Sequence, residues 1–139
     1  MQAQSGQALD LGQGARLHVL SANSHGAVLL LEWGNFRALL PVGLDFTVME
    51  QLMNDASQGP VSALLLAQSG YAPLSPPEWI TRWQPQAILL SVGAGDLEGR
   101  PQAETLQAMQ GYTLLRTDQN GWIRLSTDGE EMWVQVEKK

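Results

Sequence analysis

The sequence contains no cysteine and only two histidines, His18 and His25, in 139 residues. The first absence excludes disulfides, thiolate nucleophiles and cysteine-ligated zinc. The second leaves little imidazole chemistry. His18 falls at an alternating, solvent-facing position of a strand-like run, and His25 lies in an Asn-Ser-His-Gly turn. A two-histidine metal site wants a third ligand nearby, and the sequence offers none. Positive charge is scarce as well: 8 Lys and Arg against 14 Asp and Glu give a net charge of −6. Phosphate-binding surfaces collect positive charge, so weak or no direct nucleic-acid binding is expected. No apolar run approaches the ~20 residues of a membrane helix, and the opening MQAQSGQALDLGQG lacks the basic and apolar parts of a signal peptide. The chain as given is therefore expected to be soluble.

What is present is a core. Hydrophobic residues make up 44% of the chain and charged residues only 16%, which excludes a disordered tail. The length suits one domain spanning 1–139. RLHVLS (16–21) alternates as a half-buried strand does. AVLLLEW (27–33) and FRALLPV (36–42) flank a Gly34–Asn35 hairpin turn. In FTVMEQLMND, Thr47 and Glu50 have capping-box spacing, and Val48 and Leu52 form an apolar stripe, so a short helix is expected there. VSALLLA (61–67) and QAILLSV (86–92) read as buried parallel strands. Between them SPPEWITRW predicts a helix with Ser75 as N-cap, and PQAETLQAMQG predicts another running from Pro101 towards Gly111. Three final runs, YTLLRT, WIRLST and EMWVQVE, are separated by Asn-Gly and Asp-Gly and predict a β meander. The expected class is α/β, a mixed sheet with helices and a C-terminal meander.

The candidate sites are thin. GQGARL and SVGAGDLEG are glycine-rich, but neither runs straight into a helix with a Lys or Ser/Thr, and Asp96 and Glu98 would repel phosphate. Asp45, Asp55, Asp96 and Glu98 suit loops and caps. Ser69–Gly70 lacks the context of a nucleophile elbow. Of the five tryptophans, Trp79 and Trp83 lie four apart on one helix face, and Trp122 and Trp133 lie in strands; packing is the expected role of all four, with an exposed partner-binding face as the alternative.

The order of these segments resembles the C-terminal half of the metallo-β-lactamase-like domain in ComEC-type DNA-internalisation competence proteins. The residues that carry the resemblance are AVLLLEWGNFRALLPVGLDFTVMEQLM, QPQAILLSVGAGDLEGRP and GYTLLRTDQNGWIRLST. They match the family's strand-turn-strand-helix stretch, its S-V-G-x-x-N-x-x-G-H-P segment and its R-T-D-x-x-G-x-I segment. The resemblance runs from about Gly6 to the end. LDLGQG (9–14) imitates the family's opening motif, but its spacing from SANSHGAVLLLEW suits a mid-domain strand.

The resemblance implies the second half of an αββα sandwich without its metal chemistry. Where the family places an HHGS loop, this chain has Gln68, Ser69, Gly70 and Tyr71. Leu44 stands where the family has a bridging aspartate, with Asp45 one residue late, and Arg100 stands where it has a histidine. Leu44, Gln68, Ser69 and Arg100 cannot hold hydrolytic metals, so no metal, no cofactor and no catalytic residue is expected. Asp45, Tyr71 and Asp96 are the residual contacts. The implied function is a degenerate, non-catalytic domain of a DNA-uptake membrane protein, with a structural or partner-binding role. The resemblance further implies a place outside the bacterial inner membrane, and the rest of that parent protein as partner; self-association is left open. The alternatives are part of a metal-dependent phosphodiesterase with ligands in a missing first half, or a free-standing interaction module.

Overall fold

The computed structural model describes residues 2–139. Seven strands form one sheet in the order of the sequence: β1 (Ala8–Gly12), β2 (Ala15–Asn23), β3 (Gly26–Trp33), β4 (Phe36–Leu40), β5 (Ala63–Leu65), β6 (Ala87–Leu90) and β7 (Leu114–Arg116). The first four pair antiparallel, and β4 to β7 pair parallel. The switch follows from connection length. A two-residue turn can only return the chain antiparallel, whereas the helix-bearing segments after β4, β5 and β6 allow parallel return.

Those segments carry α1 (Phe46–Met53), α2 (Pro77–Trp83) and α3 (Ala103–Ala108). All three pack on one face of the sheet. Val28, Leu30, Leu39, Leu64, Ile88 and Leu90 point from the strands into a core completed by Val48 and Leu52 of α1 and by Trp79, Ile80 and Trp83 of α2. Trp79 and Trp83 meet edge to face at 5.5 Å, as their four-residue spacing predicts. Their indole N–H groups are buried without a partner.

The other face is different. The alternate strand residues Leu17, Leu29, Leu31, Leu40, Leu65, Leu89 and Leu115 are only half-buried. A separate two-stranded hairpin, β8 (Ile123–Thr127) and β9 (Met132–Val136), covers the middle of this face. Its Leu125 and Met132 pack on a small cluster of Phe36, Ala38 and Ala63. Apolar grooves remain on either side. One of about 220 Å³ is lined by Leu9, Leu17, Val19, Ala27 and Leu29. The other, about 150 Å³, is lined by Leu65, Leu89, Ile123 and Leu125 among others.

Several local expectations are corrected. The three-stranded C-terminal meander does not form, because its first run is β7, delivered by α3 to the parallel edge of the main sheet. Asn120 ends a one-turn helix, α4 (Thr117–Asn120), rather than opening a hairpin. Helix α1 is capped by Asp45, whose carboxylate accepts the Val48 N–H, so Thr47 and Glu50 lie inside the helix and not at its cap. Ser75 is not a cap either. Proline disfavours helical geometry in the residue before it, so with Pro76 and Pro77 in series the helix starts at the second. Helix α3 begins at Ala103, two residues later than expected. Trp122 and Trp133 are about half exposed and lie outside both cores.

Candidate functional site

The carboxyl ends of parallel strands are where α/β sheets gather their functional loops. Here the loop after β5 packs at the buried Gly70 against the end of β6 and the segment that follows it. A side chain at Gly70 would lie 3.0 Å from both Leu90 and Pro101, and its φ of +82° suits glycine. The Thr105 hydroxyl donates to the Gly70 carbonyl at 2.7 Å in the buried interior, and the Ala72 N–H donates to Gln102 Oε1 at 2.7 Å. The start of α3 therefore clamps the loop after β5.

That clamp holds an uncommon backbone. Gln68, Ser69 and Gly70 all have left-handed φ, at +47°, +52° and +82°. The left-handed region costs a non-glycine residue roughly 1 kcal/mol, and such residues persist where their surroundings over-determine them. The turn ends β5 abruptly and leaves the Gln68 side chain exposed beside Tyr71.

A second close approach completes the arrangement. A Cβ at Gly43 would overlap the Gly26–Ala27 backbone, and the Gly43 N–H donates to the Ala27 carbonyl at 2.8 Å. The turn between β2 and β3 is thereby pressed against the loop after β4, which brings His25 to the site. Asp45 is fixed by two bonds, one carboxylate oxygen accepting from Val48 N–H at 2.8 Å and the other from Asn23 Nδ2 at 3.2 Å. The result is a pocket of about 240 Å³ lined by His25, Val42, Leu44, Asp45, Phe46, Gln68, Tyr71 and Leu74.

Of the residues singled out from sequence, Leu44, Asp45, Gln68 and Tyr71 thus come together, and His25 joins them from the turn between β2 and β3. Arg100 and Asp96 do not line the pocket. Arg100 folds back on its own loop, donating from its backbone N–H, Nε and Nη2 to the Asp96 carboxylate at 2.9, 3.1 and 3.2 Å. Glu98 lies 3.6 Å from the same guanidinium. Hydrogen bonds from Arg100 hold the Asp96 carboxyl below its ordinary range, and the same bonds raise the guanidinium above its own. Leu97, between the two acids, is fully exposed.

A dinuclear metal centre does not fit this donor set. Leu44 has no donor atom, Arg100 is a cation already paired, Gln68 and Ser69 are neutral oxygen donors, and His25 is the one imidazole in the pocket's lining. Among the described residues, no three His, Asp or Glu side chains are grouped to hold a metal ion. No helix among them is long and apolar enough to cross a membrane.

A second polar depression, of about 350 Å³, lies over the antiparallel half of the sheet and includes His18, Glu32, Arg37 and Gln58 in its lining. His18 is only 30% exposed and pairs with Glu32 at 3.5 Å, so it is not the free surface group its strand position suggested. Glu32 also meets Arg37 Nε at 3.3 Å, and Arg37 donates to Gln58 Oε1 and to the Pro60 carbonyl. The Glu32–Arg37 pairing was readable from the two-residue turn, which sets Trp33 opposite Phe36 and Glu32 opposite Arg37. These contacts tie the antiparallel strands to the Gln58–Pro60 segment.

Comparison with protein families, with curated proteins and with solved structures finds no match to the chain.

Proposed function

We propose that this chain is the C-terminal half of a metallo-β-lactamase-like domain of the ComEC type, its metal centre lost, working as a structural or partner-binding element of a DNA-uptake membrane protein. The observation that carries the reading is the one-sided layering of the sheet. Helices cover one face, while the other shows half-buried leucines flanking a small hairpin. In a two-sheet sandwich such a face packs on a second sheet at about 10 Å, and its residues become core. The replaced ligand positions Leu44, Gln68, Ser69 and Arg100 support the non-catalytic part of the reading. They supply fold and no Lewis acid.

The experiment has two arms. Sedimentation of the purified chain should show concentration-dependent self-association through the leucine face, reduced in Leu17→Asp and Leu29→Asp. A strictly monomeric chain that also fails to bind an apolar dye would contradict an open face. Incubation with zinc or manganese and single-stranded DNA should give no hydrolysis above buffer. Metal-dependent hydrolysis lost in Asp45→Ala would restore the phosphodiesterase reading.

A further inference from the structure

The pocket at the strand ends has lost the donors of a metal site, yet it is not inert. Three of its polar groups are unspent: the Gln68 carboxamide, the Tyr71 hydroxyl and the His25 ring make no hydrogen bond within the described chain. Asp45 accepts two bonds, and a carboxylate has about four acceptor sites, so acceptor capacity remains there as well. Phe46 and Tyr71 bring aromatic rings to the same walls, and Val42, Leu44 and Leu74 supply apolar ones.

We propose that this pocket receives the guanidinium of an arginine carried on a basic segment of a partner protein. The sign of the charge decides first. Asp45 brings a full negative charge, and the amino end of α1 offsets only about half of it. The chain as a whole carries −6. An anionic ligand is thereby repelled and a cation drawn in. Shape decides next. The acceptors on Asp45, Gln68 and Tyr71 come from two separate loops, after β4 and after β5, and a planar group with five fixed donors bridges them better than a compact ammonium. Aromatic faces attract guanidinium in the same way, and the apolar walls can take the methylene stem.

The rim points to a protein as the bearer of that arginine. Val42 is 68% exposed and Phe46 56%, so the mouth of an acidic pocket carries an apolar collar. Arginine anchored in a pocket and ringed by apolar contacts is a common arrangement at interfaces. The left-handed turn at Gln68–Ser69, followed by the buried Gly70–Thr105 bond, fixes the Gln68 backbone at the mouth before any partner arrives. The pocket keeps this chemistry whether or not a second sheet covers the leucine face.

The test is an NMR titration of the whole chain with a blocked Gly-Gly-Arg-Gly-Gly peptide and with its citrulline counterpart, which keeps the shape and loses the charge. The arginine peptide should give saturable shifts at the Gln68 side-chain amide and the Tyr71 ring, with affinity about tenfold above citrulline. Asp45→Asn should weaken it about fivefold without unfolding α1, because Asn caps helices as well as Asp. If that variant melts early, Gln68→Gly serves instead: it removes the carboxamide at a position whose left-handed φ suits glycine, and it too should weaken binding. Equal affinity for the two peptides, no saturable shift with arginine, or undiminished binding by a folded variant overturns the proposal.

Discussion

The Thr105 hydroxyl and the Gly70 carbonyl, 35 residues apart in sequence, form a buried hydrogen bond of 2.7 Å. It is the bolt between the loop after β5 and helix α3. Thr105→Val keeps the shape and leaves a buried carbonyl unanswered, which should cost about 1–3 kcal/mol in urea unfolding. Because the loop backbone is the part released, amide exchange at Gln68–Tyr71 should speed up more than at β6.

Gly70→Ala should be worse tolerated than its small size suggests. The added methyl meets Leu90 and Pro101 at 3.0 Å, and the φ of +82° disfavours any L side chain. Thermal unfolding should show a loss of about 2 kcal/mol or more. A variant of wild-type stability would mean that the loop is free to move aside.

Acid should weaken the fold partly through one ion pair. Arg116 grips Asp118 with two bonds, at 3.0 and 2.7 Å, and both side chains are less than a fifth exposed. Those bonds lower the Asp118 pKa. A lowered folded pKa gives stability that is present above the unfolded value of about 3.9 and is lost as pH falls through the folded one. Asp118→Asn should therefore be less stable than wild type at neutral pH by about 1 kcal/mol, and the gap should close near pH 2. A gap that persists in acid would assign the loss to packing.

Nucleic-acid binding by the isolated chain should be weak near physiological salt. Arg37, Arg82, Arg100 and Arg116 are engaged by their own chain, which leaves few cations to release counterions. Binding of single-stranded DNA tighter than ~1 µM, falling steeply with salt, would contradict this.

Local grammar carried the parts of this fold that repeat locally. The Gly34–Asn35 turn, the two buried apolar strands and the Trp79–Trp83 helix face follow from spacing that neighbouring residues enforce. Long-range partners were hidden. Nothing near YTLLRT says that it pairs with β6 rather than with the next strand, because that choice lies with α3 and with Thr117, whose hydroxyl bonds both Val92 backbone groups. The same holds for the pocket. Gln68 and Tyr71 were legible as loop residues, but His25 arrives through the Gly26–Gly43 contact, which no pattern announces. Trp122 and Trp133 look like core by residue type; only the free outer side of the β8–β9 hairpin explains their exposure.

One face of the sheet is closed by helices, and the other is covered only in its middle, by the β8–β9 hairpin. Leu29 and Leu30 are adjacent in β3 and point to opposite faces. Leu30 is 2% exposed among the helices. The decisive measurement is the urea stability of Leu29→Asp against that of Leu30→Asp in the isolated chain. We expect Leu30→Asp to lose more than about 4 kcal/mol or fail to fold, and Leu29→Asp to lose about 1 kcal/mol. Equal, severe losses would make both faces closed core and contradict the half-sandwich account.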